Sequence, residues 1–304
     1  MKKNFPRLFL IVSALFLFSC GGSENEDKLG SDTKKEQDTA RLVAVNISEE
    51  TINNIIQSIP TPLEISSLIK DAGANYDVNM LNPASNASNY NSNYDVAFNI
   101  GIYSADLGYI NIYEKTYSGL EYLSSIKKLA DNIKVGQFFD FETLKRIASN
   151  NKNYDSLLFI STDNFNKMDK YLRDQKRGEL SVLMITGAWL EGMHVATEVC
   201  KVKETKELTE RIGYEKINLD NIIVILNAYK HSKYFETLAA KMESLKKIYE
   251  QVNIMKEYKE PETKEVNGQL VIVDNSKSFV NITEATVQEI TAKVAAIRSE
   301  MINK

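Results

Sequence analysis

Two cysteines, two histidines, one tryptophan and five prolines are all that a chain of 304 residues holds of these types. Two cysteines are too few for a disulfide framework, the usual support of small secreted domains. Two histidines, His194 and His231, exclude a multi-histidine metal centre and leave a serine-type triad almost nothing to recruit. No glycine-rich phosphate loop, Gly-x-Ser-x-Gly elbow, His-Glu-x-x-His or Cys-x-x-Cys occurs, so no catalytic residue and no cofactor is assigned. Nor is there an excess of positive charge. With 37 basic and 41 acidic residues interspersed and a net charge of −4, the chain lacks the basic patch that a nucleic-acid partner needs.

What is present begins at the N-terminus. Lys2, Lys3 and Arg7 precede an apolar run, Leu8 to Phe18, broken only by Ser13. That run has signal-peptide length and falls short of the roughly 20 apolar residues that span a bilayer. It ends in Leu17-Phe18-Ser19-Cys20-Gly21, which resembles the lipobox of bacterial lipoproteins. The resemblance implies cleavage before Cys20, acylation of its thiol, and attachment to the outer membrane on its periplasmic face or at the cell surface. Phe18 stands where that family usually has a smaller residue. With Cys20 consumed, Cys200 has no partner in the chain and reads as a small buried hydrophobe.

Residues 1–19 are therefore the expected signal, 20–39 a lipidated cysteine with an acidic tether, and 40–304 a single folded domain. The tether is polar and lacks aromatics, as a flexible linker does. Its Ser23-Glu24-Asn25-Glu26-Asp27 resembles the acidic tract that sends some Bacteroidota lipoproteins to the cell surface, and also reads as plain solvated linker. Asp38-Thr39-Ala40 and Asp155-Ser156-Leu157 resemble the short O-glycosylation motif of the same group, with Thr39 the more accessible of the two.

Apolar residues recur at helical spacing through most of the body, which predicts an all-α fold: an irregular bundle of about ten helices. The segments are Glu49–Ile59, Pro62–Ala72, Tyr94–Glu114, Gly119–Asn132, Phe141–Ala148, Tyr154–Gln175, Glu179–Lys201, Thr205–Tyr229, Tyr234–Tyr258 and Glu284–Ile302. Thr61-Pro62-Leu63-Glu64 and Ser118-Gly119-Leu120-Glu121 carry capping-box logic at two of the starts. Gly213 is a possible break in the eighth segment. The Asn- and Ser-rich stretch from Asn75 to Asn93 reads as a long surface loop.

One β signal interrupts this pattern near 264–273. Asn267-Gly268, the preferred two-residue hairpin turn, separates Lys264–Val266 from the apolar Gln269–Val273. A lone hairpin is marginal in water, so it is expected to be a flap docked on the bundle with its apolar strand covered.

Two segments are apolar almost all round, which places them at the centre of the bundle. The third carries its polar residues, Asp95, Asn99 and Asp106 with Tyr113, in one narrow stripe; the seventh confines Glu191, His194 and Glu198 to an arc of about 60° at 100° per residue. Both also hold glycines, Gly101 and Gly108 in one, Gly187 and Gly192 in the other. Glycine inside a helix costs about 0.5–1 kcal/mol against alanine, so its presence points to a close neighbour.

Buried acids need partners. In one reading Asp95, Asn99 and Asp106 face Glu191, His194 and Glu198 across a polar pocket for a small ligand or ion. In the other these residues mark a partly exposed edge or pair with lysines. Glu191-Gly192-Met193-His194 is the Glu-x-x-His unit of di-iron carboxylate bundles, but those need a second copy, and Ala228 stands three residues before His231. No metal is expected. Trp189, on the opposite side of its helix, reads as core.

Tyrosines crowd the span from Tyr90 to Tyr122. Tyr90 and Tyr94, beside the Asn-rich loop, are the candidate contact for an envelope protein or glycan, because tyrosine is large and amphipathic. The whole resembles the helical lipoproteins of Bacteroidota, which implies a lipid-bilayer partner through Cys20 and no transferable catalytic residue. The expected function is a non-enzymatic binding or scaffold component of the cell envelope, with a ligand-binding helical protein and a carboxylate-dependent hydrolase as alternatives.

Overall fold

The computed structural model describes residues 47–59, 62–138, 140–142, 154–266, 269–273 and 275–304. Cys20, Thr39, Thr61 and nearly all of the expected helix Phe141–Ala148 lie outside them. Among the described residues the fold is all-α apart from four short strands. The helices are α1 (Glu49–Ser58), α2 (Pro62–Asp71), α3 (Asn93–Ile112), α4 (Thr116–Asn132), α5 (Tyr154–Asp174), α6 (Gly178–Val202), α7 (Lys206–Asn227), α8 (Lys233–Tyr249) and α9 (Glu284–Ile302). Strands β1 (Asn253–Glu257), β2 (Glu262–Val266), β3 (Gln269–Val273) and β4 (Lys277–Asn281) fall between α8 and α9.

Local chemistry starts several of these helices. Ser48, Ser92, Thr205 and Thr283 each accept a hydrogen bond from a backbone N–H three residues on, satisfying a donor left free at a helix start. At α3 the cap is reciprocal, since Ser92 Oγ also donates to Asp95 Oδ2 at 2.7 Å. Ser118, by contrast, lies inside α4, which begins at Thr116 behind Lys115 without a side-chain cap. The local capping pattern at Ser118 is overridden by one more helical turn.

The core is built on α3 and α6, both buried over most of their circumference. Their contact is set by glycine. A Cβ on Gly101 would stand 1.9 Å from Met184 O and 2.7 Å from Ala188 N, and one on Gly187 would stand 2.1 Å from Phe98 O. The two backbones thus meet with no side chain between them, as these glycines predicted. Around this pair α4 and α2 pack against α3, and α5, α7 and α9 against α6, while α8 packs on α7 and α9 and α1 on α7.

Gly213 does not break α7, which runs unbroken from Lys206 to Asn227. Its role is spatial: a Cβ there would come within 2.3 Å of Val280 Cγ1, so the missing side chain admits β4 onto the helix. The ninth expected segment, Tyr234–Tyr258, also needs correction. The helix stops at Tyr249, Val252 turns into the core, and Asn253–Glu257 pairs as β1 with β4. Pairing with a partner distant in sequence outweighs local helical spacing here, a competition no local pattern registers.

The strands form one nested hairpin, β1 with β4 at the base and β2 with β3 beyond it, both antiparallel. Val266 pairs with Gln269, the register a two-residue Asn267-Gly268 turn requires. The expectation of a covered apolar strand fails. Residues 261–265 and 270–272 are all exposed, Leu270 by 78% and Ile272 by 75%. Among the described residues the base docks through Val280 at Gly213, while the outer half is exposed as an arm.

The stretch from Asn75 to Asn93 is likewise more ordered than its composition suggests. It forms two 3-10 turns and buries Leu81, Asn82, Ala87 and Tyr90. Tyrosines hold it down: Tyr103 donates to Pro83 O at 2.8 Å, Tyr113 to Ala74 O at 2.7 Å, and Tyr109 Oη accepts the Asp77 N–H at 3.1 Å. Each ring supplies buried apolar area while its hydroxyl meets loop backbone.

Candidate functional site

The six polar residues singled out on the two central helices do not form one pocket. The structure brings together Asp106 and Glu191, with His194 beside them, and separates the rest. Asp95 belongs to the α3 cap, with Tyr234 Oη donating to it at 3.2 Å and Lys304 Nζ 3.6 Å away. Asn99 is buried, its amide donating to Asp95 O at 2.9 Å and to Met301 O at 3.4 Å. Glu198 sits at the half-buried rim and pairs with Lys201 at 2.7 Å, the lysine pairing that was the simpler reading.

At the centre is an ion pair that the stripes alone do not reveal. Arg298, from α9, donates Nε to Glu191 Oε2 at 2.5 Å and Nη2 to Glu191 Oε1 at 2.6 Å. This bidentate fork is the geometry in which guanidinium matches carboxylate best. Arg298 Nη2 also donates to Met80 O at 3.0 Å, and His194 Nε2 approaches the same carbonyl at 3.1 Å. A carbonyl only accepts, so the His194 proton is on Nε2 and Nδ1 is left as an acceptor without a donor.

Asp106 completes the group from α3. It accepts the Asn82 N–H at 3.2 Å through Oδ2, and it lies close enough to Glu191 for the two carboxyls to interact. Burial raises the Asp106 pKa well above the usual carboxylate range, and the charge of Glu191 raises it further. Two carboxyls sharing a dry site cannot both ionise. Arg298 holds Glu191 as the anion, so Asp106 carries the proton. Burial lowers the His194 pKa and keeps the imidazole neutral. The cluster is then one cation, one anion and two neutral groups, electrically balanced where an unpaired charge would be costly.

A second layer ties the loop to the C-terminal helix. Tyr90 Oη donates to Ile302 O at 3.0 Å and accepts from Asn82 Nδ2 at 3.0 Å, while Asn86 Nδ2 donates to Asn82 Oδ1 at 2.9 Å. Tyr90 is thus buried, and Tyr94 packs half-buried against Tyr234 and Phe235. The partner contact expected at these two tyrosines is displaced by that placement: their rings face the body. Of the crowded tyrosines, Tyr117 is the one that is largely exposed.

On its far side α6 makes a separate polar contact. Trp189 Nε1 donates to Glu215 Oε2 at 2.7 Å, and Glu215 also receives Arg211 Nε and Asn218 Nδ2, each at 2.8 Å. Trp189 is core, as expected, and the buried Glu215 is tolerated because the Arg211 guanidinium pairs with it while the indole and Asn218 N–H groups complete its hydrogen bonds.

The carboxyl pair has the make-up of an acid and base, one protonated and one ionised. Its setting withholds that chemistry from a substrate. Asp106 and Glu191 have no exposed surface; Asp106 Oδ2 is held by the Asn82 N–H and both Glu191 oxygens by Arg298. What the arrangement does is join α3, α6, α9 and the 75–93 loop. Among the described residues no cluster of three or more His, Cys, Asp or Glu has metal-holding geometry.

Arg298 is the residue that sequence reasoning missed, and its signal was present. Val287, Thr291, Val294, Arg298, Met301 and Ile302 follow three-to-four spacing, so Arg298 interrupts the buried stripe of α9. Asn82, within an Asn-rich loop, carries no such signal. Comparison with protein-family models, with curated proteins and with solved structures finds no match. Among the described residues no helix is long and apolar enough to cross a membrane.

Proposed function

We propose that the chain is an acylated lipoprotein held to the outer membrane through Cys20, and that its helical body is a non-enzymatic scaffold presenting the β2–β3 arm to another envelope component. The anchor rests on the basic start, the apolar run and the lipobox-like Leu17-Phe18-Ser19-Cys20. Two or more acyl chains on one cysteine would suffice for stable attachment. The scaffold reading rests on one observation above all: Leu270 and Ile272 stand exposed on a strand whose outer edge pairs with nothing among the described residues.

Such a strand is a liability unless something covers it. Aliphatic side chains beside a free backbone edge suit strand addition by a protein better than contact with a glycan. The buried carboxyl pair supports the same reading, because it is occupied in holding the body together.

The test has two readouts in cells producing the full chain. Metabolic labelling with an alkyne fatty acid is expected to mark the wild type and to leave Cys20→Ser unlabelled; an unlabelled wild type overturns the anchor. Replacing Leu270 and Ile272 with Asp is expected to abolish co-purification of the arm's protein partner, whether a differently tagged copy of the chain or another envelope protein, from gently solubilised membranes, with the melting temperature unchanged. Undiminished co-purification overturns the arm.

A further inference from the structure

We infer that the outer edge of β3 pairs with β3 of a second copy of this chain, giving a two-fold dimer through a four-stranded sheet ordered β2-β3-β3-β2. The inference rests on the arm being the binding element and names what binds it. It follows from the arm's register and the charges on its two strands.

In the β2–β3 ribbon each strand has one edge unpaired among the described residues. The two edges are not equivalent. β2 is Glu262-Thr263-Lys264-Glu265-Val266, and antiparallel pairing with its own copy about the central residue would set Lys264 directly against Lys264. Like charges directly opposite disfavour a sheet. A charged edge strand is also a common natural guard against such pairing.

β3 is Gln269-Leu270-Val271-Ile272-Val273, without a charge. Antiparallel pairing about Val271 sets Val271 against Val271, Leu270 against Ile272 in both directions, and Gln269 against Val273. Every pair inside the outermost is aliphatic with aliphatic. Directly opposed residues lie on the same face of a sheet, so the two Leu270 and two Ile272 side chains form one patch across the two-fold axis. In one chain Leu270 and Ile272 are 78% and 75% exposed, against 41% for Val271 on the opposite face.

The pairing also answers a stability question. Among the described residues, 262–265 and 270–272 of the ribbon are exposed, and a two-stranded ribbon is marginal alone in water, where three or more strands are needed. A C2 contact of this kind is isologous and closed: each β3 is consumed by its copy, and the edges left outside are the charged β2 strands. A bilayer is the poorer occupant, because it would leave the β3 edge N–H and C=O groups without partners.

The experiment uses the full chain in native membranes with Cys200→Ser as background. Val271→Cys places a thiol on the two-fold axis, where opposed strand residues are close enough for a disulfide. Mild oxidation is expected to give a reducible dimer on a gel, and Lys264→Cys, on the guarded strand, is expected to remain monomeric. The background chain controls for Cys20. Adding Leu270→Glu with Ile272→Glu, which sets Glu against Glu across the axis, is expected to abolish the cross-link. Sedimentation of the detergent-solubilised wild type should give twice the protein mass of that double variant.

A monomeric wild type with no Val271→Cys cross-link overturns the dimer. The arm still stands as a heterologous binding element if the charged variants then lose a co-purifying envelope protein. Cross-linking of Lys264→Cys without Val271→Cys would also overturn the proposal, by assigning the contact to the other edge.

Discussion

Arg298 and Glu191 lie 107 residues apart and meet in a buried, two-pronged ion pair with contacts of 2.5 and 2.6 Å. The pair bridges α9 to the central helix α6, and through Met80 O and Asp106 it reaches the loop and α3.

Removing one partner of such a pair strands a buried charge. Arg298→Met is expected to destabilise the fold by about 3–5 kcal/mol, and Arg298→Met with Glu191→Leu to recover most of that loss. Glu198→Ala, which removes a surface partner of Lys201, should cost about 0.5 kcal/mol or less. Denaturant melts of the four proteins check this. A near-neutral Arg298→Met would mean the pair does not close the body.

The proton on Asp106 makes stability depend on pH. Its folded pKa is raised, by burial first and by Glu191 second, so the folded state binds the proton more tightly than the unfolded chain. Stability from this group is full at low pH and falls as pH rises from about 3.9, the unfolded value, toward the raised folded one. Asp106→Asn keeps an uncharged partner for Glu191, and its advantage over the wild type should grow across that range and then level off. His194 has the opposite sign. Burial lowers its pKa, so the wild type should lose stability relative to His194→Gln as pH falls below about 6.5. Unfolding free energies measured against pH separate the two, and flat difference curves would exclude both.

Where α3 meets α6 even one methyl group is too large. Gly101→Ala and Gly187→Ala should each cost at least about 1–3 kcal/mol, since the obstacles, Met184 O and Phe98 O, are backbone. The two variants share one contact and should combine less than additively. Gly119→Ala is the control. Its Cβ would meet nothing nearer than 3.6 Å, so helix propensity should stabilise it by about 0.5–1 kcal/mol. Thermal melts decide, and a tolerated Gly101→Ala would show that the helices can part.

Gly213 and Val280 should behave as a matched pair. Gly213→Ala is expected to cost about 1–3 kcal/mol by pushing Val280 and the hairpin base off α7. Val280→Ala in the same chain makes room and should return part of that loss. A double-mutant cycle measures the coupling, and strict additivity would mean that β4 does not seat on Gly213.

How much of this was legible in the residue order depends on range. The helix class, the central place of α3 and α6, the glycines at their crossing and the Asn267-Gly268 register all follow from patterns within a few residues. Apolar period, missing side chains and turn chemistry act locally, and the structure agrees with each. The stripes on α3 and α6 were also legible as costly, and they forecast that Asp106 and Glu191 would need partners.

The identity of those partners was decided elsewhere. Arg298 reaches Glu191 only because α9 returns along α6, and Asn82 reaches Asp106 only because tyrosine hydroxyls hold the loop to α3. Glu198, on the same stripe as Glu191, ends at the half-buried rim with Lys201, although Thr197 and Val199 on either side of it stay in the core. The segment Asn253–Glu257 became a strand against its helical spacing because β4 lies beside it, and Leu270 and Ile272 stayed exposed because none of the described helices covers them. Composition and period therefore determined the class of fold and which residues needed partners. Only tertiary structure assigned the partners, because a buried charge is satisfied by whichever group the chain brings within hydrogen-bonding distance, and that distance is set by all the helices together.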